Sequence, residues 1–397
     1  MASFAKSVQQ PISHPVIALV AGEASGDTLG EGLIRSLKQR FPHATFIGVG
    51  GTKMIGQGLQ SFFPMEKLSV MGIFEVLKHL PELLKLRSSL IQTLLALKPD
   101  VFIGIDAPDF NFKIERVLKS NGIKTIHYVG PSVWAWREKR LVKIKQCVDG
   151  VLVLFPFETP YYDKYQIPVK FVGHPLANEV PESPNLEQAR VYFQLSVLKT
   201  VVGLLPGSRM SEIRLMTPVY LQAAKKLLEI MPDLHFLIPC VHQAAQLLIA
   251  EQVALLGLQK QITLVSGQAQ KVMEASNFLI VTSGTATLEA ALMKRPIIIA
   301  IKVHPFSYWL MKKLSTTQWI GLPNVLAQQS LIPEFIQEEA TADKIALALG
   351  KLMADTKQQH KQLAAFDVQY HQLKQNASEL AADAVVDWAN LSQPLTH

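Results

Sequence analysis

At 397 residues the chain is too long for one ordinary hydrophobic core, and two domains of roughly 150 to 200 residues each are expected. Hydrophobic residues make up 49%, charged residues only 18%, and the net charge is +7; the apolar balance suits contact with lipid, and the basic balance suits an anionic membrane surface or a phosphorylated substrate. Nucleic acid ranks last, because no basic cluster is interleaved with stacking aromatics, and Cys147 and Cys240, in separate halves, suggest neither a disulfide framework nor a metal site but a reducing compartment.

The first strand is Val16-Ile17-Ala18-Leu19-Val20-Ala21. It is short, follows His14-Pro15 and runs into Gly22-Glu23-Ala24-Ser25-Gly26-Asp27, after which Leu29, Leu33, Leu37 and Phe41 lie four apart. That pattern reads strand, glycine loop, helix rather than signal peptide. β-rich runs follow at 45–49, 101–105, 124–129, 150–154 and 169–172, separated by amphipathic stretches. Pro175, Pro181 and Pro184 then interrupt regular structure and mark a boundary. Strand candidates resume at 200–205, 234–238, 262–265, 278–281 and 297–303.

The expected fold is therefore α/β: two doubly wound, Rossmann-like domains facing a cleft. Their expected bounds are 1–180 and 181–365, with a helical tail at 366–397 that packs on the N-terminal domain or on a partner subunit. No apolar run reaches the roughly 18 residues a membrane-spanning helix needs.

Three strand-to-helix loops are suited to an anion, because a helix N-terminus offers backbone N–H groups and the positive end of its dipole. They are Gly22 to Asp27, Pro206-Gly207-Ser208-Arg209, and Ser283-Gly284-Thr285. A guanidinium at Arg209 can pair two phosphate oxygens. Glu289, about one turn into the helix after Thr285, can accept hydrogen bonds from both hydroxyls of a ribose; otherwise it is a favourable charge at a helix start.

Asp106 and Asp109 follow the apolar run 101–105, at the edge where a cleft would open. Asp106 is read as a general base for a sugar hydroxyl and Asp109 as a helix cap. No Asp-x-Asp and no ligand-spaced histidine cluster occurs, so neither a metal nor another cofactor is expected. Gly51 to Gly56 has P-loop glycine spacing but Gln57 where a lysine is needed, and Gly48-Val49-Gly50-Gly51 lacks the third glycine of a dinucleotide fingerprint.

Between Met65 and Leu80, apolar Met71, Ile73, Phe74 and Leu77 stand beside Lys67, Lys78 and His79. That stretch is either a surface that dips into an anionic bilayer or an ordinary core helix ending before Pro81. Residues 82–97 read as a core-facing helix. Trp134 and Trp136, beside Arg137, Lys139 and Arg140, either stack on sugar and hold phosphate or anchor a helix to the sheet.

Taken in order, the segments Ala21 to Asp27, Met71 to Leu77, Asp106 to Asn111, Tyr128 to Arg140, Phe171 to Leu176, Leu205 to Arg209, Ser283 to Glu289 and Leu322 to Ala327 resemble the lipid-A-disaccharide synthase family over nearly the whole chain. Gly130 departs from it, where serine is commoner. The resemblance implies a metal-independent inverting glycosyltransferase of GT-B type that joins UDP-2,3-diacylglucosamine to 2,3-diacylglucosamine 1-phosphate, releasing UDP. It places Asp106 as the base, and Ser208, Arg209, Ser283, Gly284, Thr285, Glu289 and Asn324 around UDP. Gly22, Glu23, Ser25, Gly26, Trp134 and Arg137 fall to the acceptor or its phosphate.

It further implies a cytoplasmic protein, peripheral on the inner face of the membrane, and a homodimer formed by exchange of C-terminal segments. Competing readings are a UDP-sugar epimerase, a transferase with another acceptor, and a non-catalytic lipid-binding protein.

Overall fold

The structure, a computed structural model, describes residues 14–68, 73–134, 138–314 and 317–391. Contacts divide the chain into two units, 1–175 together with 375–397, and 176–374.

The first unit is built on a seven-stranded sheet of β1 (Val16–Ala21), β2 (Thr45–Val49), β3 (Gln60–Ser61), β4 (Val101–Ile105), β5 (Lys124–Tyr128), β6 (Gly150–Val153) and β7 (Val169–Phe171). Its order is β3-β2-β1-β4-β5-β6-β7, every pairing parallel. β4 is buried along its whole length, as expected of a strand covered on both faces. Leu29, Leu33 and Leu37 of the helix Ala24–Arg40, with Phe41 beyond it, meet the sheet in the core.

Ala381, Ala382 and Val385 of the helix Ala377–Trp388 join that same core. Small side chains let this helix lie close, and Arg40 fixes its outer edge by pairing with Glu379 at 2.8 Å and Asp383 at 2.7 Å.

The second unit repeats the design with β8 (Val201–Leu205), β9 (His235–Cys240), β10 (Ile262–Ser266), β11 (Phe278–Thr282), β12 (Ile297–Ile301) and β13 (Glu334–Ile336), in the order β10-β9-β8-β11-β12-β13, again all parallel. The breaks fall at 175/176 and 374/375, not at 180/181 and 365/366. The reason is local. Tyr370 donates its hydroxyl hydrogen bond to the Val180 carbonyl at 3.1 Å, and Phe366, Tyr370 and Leu373 are buried, so both flanking segments belong to the second unit.

Pro81 does not end a helix as the sequence suggested: Ile73–Leu97 is one helix with Pro81 inside it. Its C-terminal half buries Leu90 and Leu94, whereas Leu80 and Leu84 are exposed. Among the described residues, no helix is long and apolar enough to cross a membrane.

Candidate functional site

Each sheet reverses its strand order beside its first strand, which opens a crevice at the C-terminal ends of β1 and β4 and another at those of β8 and β11. In the second unit this crevice is a cavity of about 640 Å³, bounded by the last residues of β8, β9 and β11. Ser208, Arg209, Ser283, Gly284, Thr285 and Glu289 all line it.

The loop after β11 carries its anion-binding capacity in the backbone. Gly284 has φ +152°, a conformation closed to other residues, and it turns the chain directly into the helix Thr285–Leu292. Thr287 locks that turn, donating to the Gly284 carbonyl from both Oγ1 (2.8 Å) and its backbone N–H (3.1 Å). Thr285 and Ala286 line the cavity, and their N–H groups have no acceptor among the described residues.

The loop after β8 differs from the sequence expectation of free amides. The Glu212 carboxylate, one turn into the next helix, accepts from the N–H groups of Ser208 (3.1 Å) and Arg209 (3.3 Å). Gly207, at φ +117°, is required twice over, since a side chain there would come within 2.6 Å of Glu212. What this loop offers a ligand is the Arg209 guanidinium, 80% exposed and bonded on one edge to Glu212 at 3.1 Å. Glu289 is half-buried; burial pushes its carboxyl above the usual range, a hydrogen bond from Gln270 opposes the rise, and the charge of Glu179 adds to it.

Asn324 does not line this cavity. Its side-chain amide donates to the Ile332 carbonyl (2.9 Å) and to Glu334 (2.8 Å), and its oxygen accepts from the N–H groups of Leu331 and Ile332. Fully buried, it shapes the 331–334 turn.

In the first unit, Asp106 (φ 52°) and Ala107 (φ 44°) both sit in the left-handed region immediately after β4. Each costs about 1–3 kcal/mol there, and such strain is concentrated at functional sites. Asn111 holds the bend by donating to the Asp106 carbonyl at 2.8 Å. The Asp106 carboxylate is half-buried and accepts no hydrogen bond among the described residues.

Neither aspartate caps the following helix. Its N-cap is Ala107, with Pro108 at the first position, and Asp109 lies in the first turn, 95% exposed and 3.3 Å from Arg140.

Gly22 lies against Ala107 and Gly26 against Ile105, so the loop after β1 adjoins the Asp106 loop. Glu23 and Ser25 are exposed there. Asp27 instead accepts from the N–H groups of Gly51, Lys53 and Met54, filling the start of the helix Thr52–Gly56 with a carboxylate. That carboxylate takes up N–H groups that a phosphate would otherwise need at these P-loop-like glycines.

Trp134 packs edge-on against Phe157 and hydrogen-bonds Glu158, which favours the anchoring role over a free stacking face. Burial raises the Glu158 carboxyl to about 8, and burial lowers His174, 5.1 Å from Phe155, to about 4. Arg137 and Met71 lie outside the described residues, as do the side chains of Ile73, Phe74 and Leu77.

One feature gave no sequence signal. Glu115 and His127 are both fully buried and share a 2.7 Å hydrogen bond beneath the Asp106 bend. The ring of His127 stacks on Phe112, and burial pushes Glu115 upward against the opposing pull of His127. Gly104 stands opposite His127 in the β4–β5 register, and a side chain at Gly104 would collide with Glu115. Three elements must assemble before the pair exists.

The lipid-A-disaccharide synthetase family model matches residues 17–386. A lipid-A-disaccharide synthase from Hydrogenovibrio crunogenus is 65% identical over 373 residues, covering 94% of this chain and 99% of its own. Among solved structures, a glycosyltransferase from Rickettsia africae superposes with a TM-score of 0.58 at 14% identity, covering 95% of this chain and 98% of its own. A UDP-GlcNAc 2-epimerase from Neisseria meningitidis, bound to UDP-GlcNAc, gives 0.60 at 11% identity, covering 94% and 99%. At such identities the structural likeness speaks to the fold, two Rossmann-like domains. With the family model spanning most of its length and a curated relative at 65% identity, the chain belongs to the lipid-A-disaccharide synthase family of glycosyltransferases.

Proposed function

We propose that this protein joins UDP-2,3-diacylglucosamine to 2,3-diacylglucosamine 1-phosphate with inversion, giving lipid A disaccharide 1-phosphate and UDP. The observation that carries this reading beyond family membership is the cavity at β8 and β11, where unpaired helix N–H groups, an exposed guanidinium and a half-buried carboxylate converge. Thr285 and Ala286 N–H groups bind the diphosphate, and Arg209 neutralises the charge that grows on it as the glycosidic bond breaks. Glu289 accepts from the ribose hydroxyls. Asp106 removes the proton of the attacking acceptor hydroxyl, and its carboxylate is uncommitted to any internal donor among the described residues.

The protein works at the inner face of the cytoplasmic membrane, a placement supported by Leu80 and Leu84, which stand exposed at the end of and just beyond the apolar, basic stretch 65–80. A homodimer that exchanges C-terminal segments would make the Arg40–Glu379 contact between protomers, which cross-linking at these positions measures.

The test is UDP release from UDP-2,3-diacylglucosamine with and without the acceptor, with mass spectrometry of the lipid. Acceptor-dependent UDP and a disaccharide phosphate support the reading. UDP binding without that product would reassign the acceptor, and UDP-sugar epimerisation would replace the reaction class.

A further inference from the structure

A concavity of about 250 Å³ opens in the first unit between the helix Pro108–Ser120 and the helix Arg140–Lys145. Lys113, Arg116, Arg140 and Lys143 line it, against the single carboxylate of Asp109. That carboxylate does little to offset them, being 95% exposed and paired at 3.3 Å with Arg140. Lys113, Arg116 and Lys143 have no acidic partner among the described residues. Converging cations repel one another, and a concave surface that keeps them together uncompensated is suited to a multivalent anion.

Two observations narrow the anion. Phe112, the aromatic residue in the lining, already stacks on His127 at 4.4 Å, which disfavours a nucleobase on that ring. Arg87 of the helix Ile73–Leu97 donates to the Asp109 carbonyl at 3.2 Å, so that helix borders the basic concavity. Leu80, Leu84 and Arg87 are spaced i, i+4, i+7, on one helical face, and both leucines are exposed. A charged recess therefore adjoins an exposed apolar strip.

We infer that the concavity between Pro108–Ser120 and Arg140–Lys145 binds the phosphate of a lipid, with the lipid's chains lying along Leu80 and Leu84. Two planar guanidinium groups and two ammonium groups match the several oxygens of a phosphate. Two sources share this chemistry: the acceptor's own 1-phosphate, which rests on the proposed reaction, and the headgroup of an anionic phospholipid, which does not.

The experiment compares the wild-type protein with the triple variant Lys113→Gln/Arg116→Gln/Lys143→Gln. A control triple, Lys98→Gln/Lys124→Gln/Lys170→Gln, removes equal charge elsewhere in the unit. Acceptor KM is measured in non-ionic micelles, and co-sedimentation is measured with phosphatidylcholine vesicles with and without phosphatidylglycerol. A rise of about tenfold in acceptor KM, at unchanged kcat and UDP affinity, identifies the acceptor phosphate.

A selective loss of binding to the anionic vesicles, at unchanged KM, identifies the headgroup. If the pocket triple matches wild type in both assays, or the control triple loses as much, the site is overturned. Failure of wild-type turnover would sink the reaction separately, and the vesicle arm alone would then decide the pocket.

Discussion

The two switch points share one topology and differ in what they present. At β8 and β11 the second unit offers backbone N–H groups, with Gly284 at φ +152° turning the chain so that Thr285 and Ala286 line the cavity. At β1 and β4 the first unit instead offers a carboxylate, Asp106, on a left-handed bend of two non-glycine residues. On the function proposed above, one site receives negative charge and the other takes a proton, which divides binding from chemistry between two copies of one fold. Each unit also closes one set of N–H groups with its own carboxylate, Asp27 in the first and Glu212 in the second, which among the described residues leaves the turn at Thr285 and Ala286 as the open amides of the second cavity.

The comparison breaks most severely if Asp106 can be removed without consequence. Asp106→Asn is expected to lower kcat by about 10²–10⁴, the usual worth of a positioned general base. Near-normal turnover would move the base elsewhere.

Next in size, Gly284→Val forces a β-branched residue into φ +152°, although no atom lies close enough to clash. It is expected to weaken UDP binding by at least about tenfold, at a strain of about 1–3 kcal/mol. Wild-type affinity by titration calorimetry would show that the turn does not matter.

Glu289→Gln is expected to weaken UDP binding by about tenfold through loss of charged acceptors. Because burial raises this carboxyl, wild-type affinity should fall on acidification at a higher pH than an ordinary carboxylate would produce, and the variant should lose that step. An unchanged pH profile would remove Glu289 from the ribose.

The smallest effect concerns stability. Glu158 is neutral in the fold up to about pH 8, whereas in the unfolded chain it ionises near 4.5, so the native state holds the extra proton between those values. Its stabilising contribution is fully present below 4.5 and declines as pH rises toward 8. Denaturant midpoints of Glu158→Gln should show a flatter pH dependence than wild type across that window. Parallel curves would contradict the buried, protonated carboxyl.

Apolar runs ending in tight loops made both sheets legible, since strands such as β4, β8 and β11 are buried throughout and carry no alternation to misread. β3 and β13 were not legible: at two and three residues, Gln60–Ser61 and Glu334–Ile336 are edge pairings supplied by their neighbours. Pro81 misled because a proline signal is local, whereas the packing of Leu90 and Leu94 fixes the helix beyond it.

At the site, the loops identified the cavity, but Asn324 was misplaced because a motif does not tell whether an amide faces a ligand or its own turn. The Glu212 cap was readable in principle as a glutamate one turn inside the helix. The Glu115–His127 pair was not, because it needs the register of β4 against β5.

The most direct test of divided labour is UDP titration calorimetry on the Asp106→Asn protein, paired with its turnover. Wild-type UDP affinity with turnover lost is expected. A large loss of UDP affinity in that variant would contradict it, because the carboxylate of the first unit would then be part of the nucleotide site.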